Sequence, residues 1–324
     1  MESSHREGQR LQPEAPLESD SRGSWPRLGH AQLASLGPAS SLKNGTHVLG
    51  EWALIVGAVA FSEWFASPWA VVAAIPLIAA RQHALAALAH EAAHGRLFPG
   101  RWNLHLAEAF VAWPLLLSTR AYRRVHMAHH RFLSTPKDPD WVRNRPDLWE
   151  ERRGFGAVAR GMHLAGLRVE QLDLAQMFVG TAQPSSKGAT GGAIHAIVRA
   201  VYYLVAALII TFLGGWSILG TYWLLPLFTW FLLLMRARGI AEHWAVEDSG
   251  PLTQTRTLLL SPPFRFFFLP MNMGYHLEHH LYPSVPFTGL PRLHRELMAD
   301  PDYAKRAHVT RGLGQLLREL AGVR

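Results

Sequence analysis

The sequence predicts an all-α integral membrane protein: four transmembrane helices, re-entrant or interfacial helices between them, and a His-rich cap on the cytoplasmic side. Three observations predict it. Only 17% of the 324 residues are charged and 49% are hydrophobic, whereas a soluble domain averages about 25% charged. The missing charge is concentrated in four apolar blocks, each close to the roughly 20 residues that cross a bilayer. Eight histidines fall into three tight clusters, each just after an apolar segment: His90-Glu91-Ala92-Ala93-His94, His126-Met127-Ala128-His129-His130 and His276-Leu277-Glu278-His279-His280.

Residues 1–44 are polar, rich in Pro, Ser and Gly, and charged in both signs. They hold no apolar core of a signal peptide, so a disordered cytoplasmic N-terminal tail is expected. A membrane domain is expected over 45–294. Its first span covers 48–65, with Glu51 and Trp52 near the start and Glu63 near the end. The second covers 68–89 and runs directly into the first His cluster. The stretch 104–117 is apolar but has only 14 residues and contains Glu108 and Pro114. That length fits a re-entrant or interfacial helix rather than a crossing. Residues 131–194 are polar to mixed. Within them 154–179 has the pattern of an amphipathic helix lying on the membrane, and 184–192 reads as a loop. The third span covers 196–213 and the fourth 216–235. Gly214-Gly215 makes a tight turn between them, and Pro226 predicts a kink. In 295–324, Leu297, Leu313, Leu316, Leu317 and Leu320 alternate with charges, which predicts a cytoplasmic amphipathic C-terminal helix.

Topology follows from sharing a site. Two crossings precede the first cluster and two separate the second from the third, so all three clusters and the N-terminus lie on one side. The net charge is +8. Arg120, Arg123, Arg124, Arg131, Arg236 and Arg238 flank the apolar blocks, which places that side in the cytoplasm and argues against nucleic acid as the partner of the positive charge. There is no Cys, which excludes disulfides, thiolate metal sites and Cys nucleophiles.

The clusters carry the chemistry. Residues i and i+4, or i, i+3 and i+4, share one helix face, so each cluster aims its imidazoles together. With 18 His in the chain, a given three-His spacing should be rare, yet HxxHH occurs twice. Eight imidazoles exceed the roughly four to six ligands of one metal, so two metals fit the count. His243 follows the fourth span directly and is a ninth candidate. An all-nitrogen set suits Fe, Zn, Cu or Ni. Redox-active iron best explains a site facing lipid, because an alkyl C–H bond yields only to activated oxygen. Two other readings compete. HEAAH matches the HExxH zinc protease motif, with Glu91 as base, but leaves both HxxHH clusters without a role. A metal transporter would carry its ligands in mid-span, whereas these lie at span ends.

The motifs HEAAHG, HMAHHRF, AEHW and GYHLEHHLYPSVPF, spread over 81–293, resemble those of the membrane-bound fatty acid desaturase superfamily. The resemblance implies four spans, a cytoplasmic active site and two iron ions. It implies His90, His94, His126, His129, His130, His243, His276, His279 and His280 as their ligands, with no separate catalytic side chain. It also implies O2-dependent desaturation of a lipid acyl chain; hydroxylation or ketolation is the alternative within the superfamily, on a fatty acyl, sphingolipid or carotenoid substrate. Three departures stand out. Glu91 replaces a common Asp, and Gly239 stands where some members place a water-binding Asn. His276 stands where front-end members with a fused cytochrome b5 domain carry Gln. With no His-Pro-Gly-Gly haem motif either, electrons are expected from a separate ferredoxin or cytochrome b5 with its reductase.

Other residues read more plainly. His83 is seven residues before His90, on the same stripe and about 10 Å deeper; a hydrogen-bonded or tunnel-lining role is expected. Glu91, Glu242 and Glu278 sit beside the candidate ligands, either bonding their rings or standing as solvated helix charges. Asp138 and Asp140 read as loop-fixing or ring-orienting groups. His5, His30, His47, His105, His163, His195, His294 and His308 fit no cluster. Trp102, Trp113, Trp216, Trp223 and Trp244 read as interfacial anchors.

Overall fold

A computed structural model describes residues 25–37, 42–140, 189–247 and 249–322. The amphipathic helix expected over 154–179 lies outside the described residues, as does most of the N-terminal tail. In chain order the elements are α1 (His30–Ser35), α2 (Leu42–Phe65), α3 (Pro68–Ala93), α4 (Trp102–Ala107), α5 (Thr119–Phe132), α6 (Ala189–Phe212), α7 (Trp216–His243), β1 (Thr257–Leu259), α8 (Pro262–Phe268), α9 (His276–Leu281), α10 (Leu290–Met298), α11 (Pro301–Arg306), β2 (Val309–Arg311) and α12 (Gly312–Leu320).

Among the described residues four helices are long and apolar enough to cross a membrane: α2, α3, α6 and α7. The second and fourth run further than the apolar blocks suggest, through Ala93 and His243, because the helix continues into the His-bearing turns. Pro68 starts α3 at a position where its missing N–H costs nothing. α3 is the central helix, buried at every position from Ile78 to Ala93. α2 and α7 pack against it, while α6 turns apolar side chains outward along its length. The turn before α7 holds Gly214 at φ 65, a conformation Gly adopts without strain. The expected kink at Pro226 takes the form of two π turns, Gly220–Leu224 and Leu227–Phe231, on either side of it. Pro cannot donate its N–H and crowds the preceding turn, and wider turns relieve both.

Several polar groups inside these helices are paired, as a water-free layer favours. Arg81 of α3 meets Glu51 of α2 at 3.0 Å. Gln82 Nε2 donates to the Trp223 carbonyl at 2.9 Å. The Tyr222 hydroxyl donates to Glu63 at 2.6 Å. The segment 104–117 enters among the spans without crossing. It runs through α4 and a π turn, Glu108–Ala112, and reverses near Leu116 at φ 61. Trp52 and Trp223 donate to its carbonyls at Phe110 and Pro114, at 2.9 and 2.8 Å.

Beyond α7 two short strands interrupt the helices. β1 and β2 pair in parallel, Thr257 opposite Val309. The segment 295–324 is not one helix but the end of α10, then α11, β2 and α12. Asp300 restarts the helix as an N-cap, accepting from the Tyr303 amide at 2.8 Å, with Pro301 at the first position. Trp113 and Trp244 are buried rather than interfacial; each sits where a segment turns back into the core.

Candidate metal centre

Each His cluster is presented by a helix end that other side chains hold shut. His90 stands one turn before the end of α3 and His94 caps it, so both rings leave one face. Asn103 Nδ2 donates to the Ala92 carbonyl at 2.6 Å, its Oδ1 accepts from the amides of Leu97 and Phe98, and Arg123 donates to the Ala93 carbonyl. These satisfy groups that a helix terminus leaves open. α5 is capped by Ser118 and carries His126, His129 and His130 in its last two turns. His243 is the last residue of α7. α9 is wholly buried and carries His276, His279 and His280.

All nine predicted imidazoles converge, in two adjoining sets. Ring nitrogens of His90, His94, His126, His130 and His279 all lie within 4.8 Å of one another. In this set the Nε2 atoms of His94 and His126 are 2.9 Å apart, those of His126 and His130 2.9 Å, and those of His130 and His279 3.1 Å. His129, His243 and His280 form a second group within the same span of distance. His276 joins it, its Nε2 at 2.9 Å from that of His243 and 3.0 Å from that of His280. The two sets touch where the rings of His130 and His280 stack at 4.3 Å.

These distances fit metal ligation. With metal–imidazole bonds of about 2.1 Å, adjacent ligands at right angles stand about 3.0 Å apart and opposite ones about 4.2 Å. A ring nitrogen holds either a proton or a lone pair, so a chain of Nε2 atoms in contact cannot bond itself throughout. A cation to which every lone pair points removes the conflict. Both ring nitrogens of His90 are buried without a hydrogen-bond partner among the described residues. Such burial is costly unless a partner is supplied.

The electrostatics agree. Burial, and after it the neighbouring imidazoles, hold His126, His130, His276 and His280 well below the ordinary histidine range, and His279 is lowered to about 3. Neutral imidazole is the ligating form. His129 goes the other way. Burial pulls it down, but the Asp138 hydrogen bond at 2.9 Å, with Asp140 behind it, raises it overall. His129 Nδ1–H donates to Asp138, which leaves Nε2 for the second set, a relay that fixes ring orientation at metal sites. Asp138 is itself held by the amides of Ser134 and Asp140. The grouping of His129 with the two aspartates is therefore an orienting arrangement.

Tyr122, one turn before His126, was not legible as a site residue from the motifs, although the i, i+4 spacing points to it. It stacks on His126, with its hydroxyl 3.3 Å from Nδ1. The three glutamates divide. Glu91 is buried and accepts the Phe287 amide at 3.1 Å, which ties the end of α3 to the loop after α9. A carboxylate so engaged does not match a protease base. Glu242 lies 3.8 Å from His276 Nδ1 and pairs with Arg238 at 3.2 Å. Glu278 turns away from the candidate ligands: it accepts from Thr257 Oγ1 and pairs with His294 Nδ1, both at 2.6 Å, with the Tyr303 hydroxyl at 3.3 Å. His294 thus has a structural role that no spacing in the sequence announces. His83 is fully buried, and neither ring nitrogen has a hydrogen-bond partner among the described residues, so the expected bond is not made. A side chain at Gly239 would meet nothing within 4 Å, so that position leaves open space.

The sequence comparisons agree with this geometry. The chain is 29% identical over 303 residues to the dihydrorhizobitoxine desaturase of Bradyrhizobium elkanii, covering 87% of this chain and 82% of that enzyme. It is 28% identical over 259 residues to a beta-carotene ketolase of Paracoccus sp., covering 78% of this chain and 91% of the relative. It is 24% identical over 219 residues to the sphingolipid delta(4)-desaturase of Candida albicans, covering 64% and 56%. The pattern that defines the fatty acid desaturase family matches residues 67–312, which include every candidate ligand. With its four apolar helices and buried imidazole cluster, the chain is a membrane oxidoreductase that belongs to the fatty acid desaturase family.

Proposed function

We propose that this chain is an O2-dependent desaturase of a lipid acyl chain. The observation that carries the reading is the convergence of nine imidazoles, seven buried and two half-buried, in two adjoining sets, at the shared end of two apolar helices, α3 and α7. His90, His94, His126, His130 and His279 would hold one iron and His129, His243, His276 and His280 a second, and the pair would supply the two-electron activation of O2 that an alkyl C–H bond requires. The chain's own part is positional. Burial keeps His126, His130, His276, His279 and His280 neutral, Asp138 and Tyr122 fix the rotation of two rings, and the apolar helices keep water from the reacting carbon. Electrons would come from a separate ferredoxin or cytochrome b5 with its reductase. The membrane unit over 45–294 would hold its His-rich end, the tail 1–44 and the segment 295–324 in the cytoplasm, in keeping with the arginines flanking the spans.

Expression in a host with simple lipids, followed by mass spectrometry, tests this. The expected product is an acyl chain lighter by two hydrogens. A product heavier by one oxygen would reassign the enzyme within its family. A second reading, carotenoid or lipid ketolation, is favoured by the beta-carotene ketolase, whose identity to this chain differs from that of the desaturase above by one percentage point. Supplying beta-carotene in the same host distinguishes the two.

A further inference from the structure

We infer that α8, although it follows the last span by eighteen residues, is embedded in the lipid acyl layer and not in the aqueous cap. Its sequence is Pro-Pro-Phe-Arg-Phe-Phe-Phe, and none of its seven residues is buried. Phe264, Phe266 and Phe267 are 49%, 38% and 44% exposed. Three exposed phenylalanines on seven residues would be a costly aqueous surface.

The structure places this helix in depth through one residue. Arg81 stands thirteen residues after Pro68 and twelve before Ala93 in α3, about 18 Å along the axis from the metal end. Half of a hydrocarbon layer is about 15 Å, so Arg81 starts near the middle of the span. Its partner Glu51 stands fourteen residues before the end of the antiparallel α2, which agrees with that depth. Arg81 donates to the carbonyl of Phe266, and its guanidinium lies 3.6 Å from the centroid of the Phe266 ring. Even at the full reach of an arginine, Phe266 lies well below the end of α3, level with the apolar outward faces of the spans. The chain therefore leaves α7 at the metal end, pairs β1 with β2, and dips back along α3. It returns through Asn272 and Gly274 to present His276.

The occupant of this surface is the acyl chains of one bilayer leaflet, because the exposed face continues the apolar belt of the spans at the same depth. Arg265 is the one charge on the helix, and its Nη2 donates to Asn272 Oδ1 at 2.8 Å, which gives one of its N–H groups a partner within the protein. The inference does not depend on which reaction the metal centre performs.

The chain has no Cys, so single nitroxide labels report depth cleanly. Phe264→Cys and Phe267→Cys would be compared in phosphatidylcholine vesicles with Leu204→Cys on the exposed face of α6 and Lys305→Cys on α11. The expected result is that both Phe sites match Leu204→Cys, colliding often with O2 and rarely with a water-soluble nickel chelate. Chelate collisions at the level of Lys305→Cys would overturn the inference in favour of an aqueous surface. Exclusion of both quenchers would overturn it in favour of a contact with a second copy or another protein. Should the labels disturb folding, the unmodified chain can be placed in vesicles whose phosphatidylcholine carries a photoactivatable group in mid-acyl chain. Adducts on the peptide containing 262–268 are expected; adducts on α6 with none there would overturn the proposal.

Discussion

At the scale of single residues, each candidate ligand does its work only in the neutral form and one orientation. His129→Ala and His279→Ala remove one nitrogen from each set, and each is expected to abolish turnover while the protein stays in the membrane fraction. Iron per chain, measured on purified protein, should fall from close to two in the parent. One tightly bound zinc and no iron in the parent would count against the desaturase reading. Asp138→Asn tests orientation rather than ligation. It keeps the size of the side chain but lowers its power to hold His129 Nδ1–H. Loss of such a partner typically weakens metal binding about 10- to 100-fold, so iron should be lost at lower chelator concentrations with the fold intact. Eight ligand candidates were legible because imidazoles grouped at helical spacing are rare, and His243 because it directly follows the fourth apolar span. Tyr122 and His294 were not, because neither belongs to a His cluster and only the fold shows what each side chain touches.

At the scale of elements, pairing between helices sets the stability. Removing one partner of the buried Glu51–Arg81 pair leaves a bare charge among apolar helices, and such losses cost about 3–5 kcal/mol. Arg81→Met should lower the melting temperature in detergent clearly, and adding Glu51→Gln should recover part of the loss. No recovery would show that Arg81 acts mainly through Phe266. Gly274 sits where a Cβ would stand 2.4 Å from the Leu258 carbonyl, beside the 2.7 Å bond from the Leu258 amide to the Gly274 carbonyl. Gly274→Ala should therefore cost about 1–3 kcal/mol, as overpacking does, and shift His276 two residues on. Near the C-terminus, burial alone would raise Glu319. His308, Thr310, Arg256 and Gln315 surround it and together lower it to about 2. A carboxylate depressed in the folded state adds stability above its unfolded value of about 4.5 and loses it as pH falls towards about 2. The melting temperatures of the parent and Glu319→Gln should thus converge over that range, and a gap that stays constant would remove the ion pair from the account.

At the scale of the whole molecule, the proposed topology has even numbers of crossings between the clusters, which would place every cluster on one side of the membrane. Ala34→Cys and Lys305→Cys, each introduced singly, should resist an impermeant thiol reagent added outside intact cells and react once the cells are opened. Labelling from outside would reverse the orientation. Purified enzyme should be inactive with NADPH alone, active once ferredoxin or cytochrome b5 and its reductase are added, and inactive without O2. Turnover under strict anaerobiosis would sink the proposed reaction. The length of the apolar runs was sufficient to count the spans, and the shortness of 104–117 to deny it a crossing, because bilayer thickness is a length that sequence can be measured against.

Taken by itself, the sequence determined the helical class, the four apolar helices, the turn at Gly214 and the nine imidazoles brought to one place. These follow from run length, helical period and residue chemistry, all of which act over a few neighbouring positions. Only the tertiary structure decided how the imidazoles divide into sets of five and four, since His279 of α9 joins the cluster from α3 and α5 while His129 of α5 joins that from α7 and α9. It alone turned Glu278 towards His294, buried Trp113 and Trp244, broke the C-terminal helix into a paired strand, and brought α8 against Arg81. Each of these depends on contacts between residues far apart in the chain, whose geometry is set by packing and by the need to satisfy buried polar groups, and no local pattern encodes that.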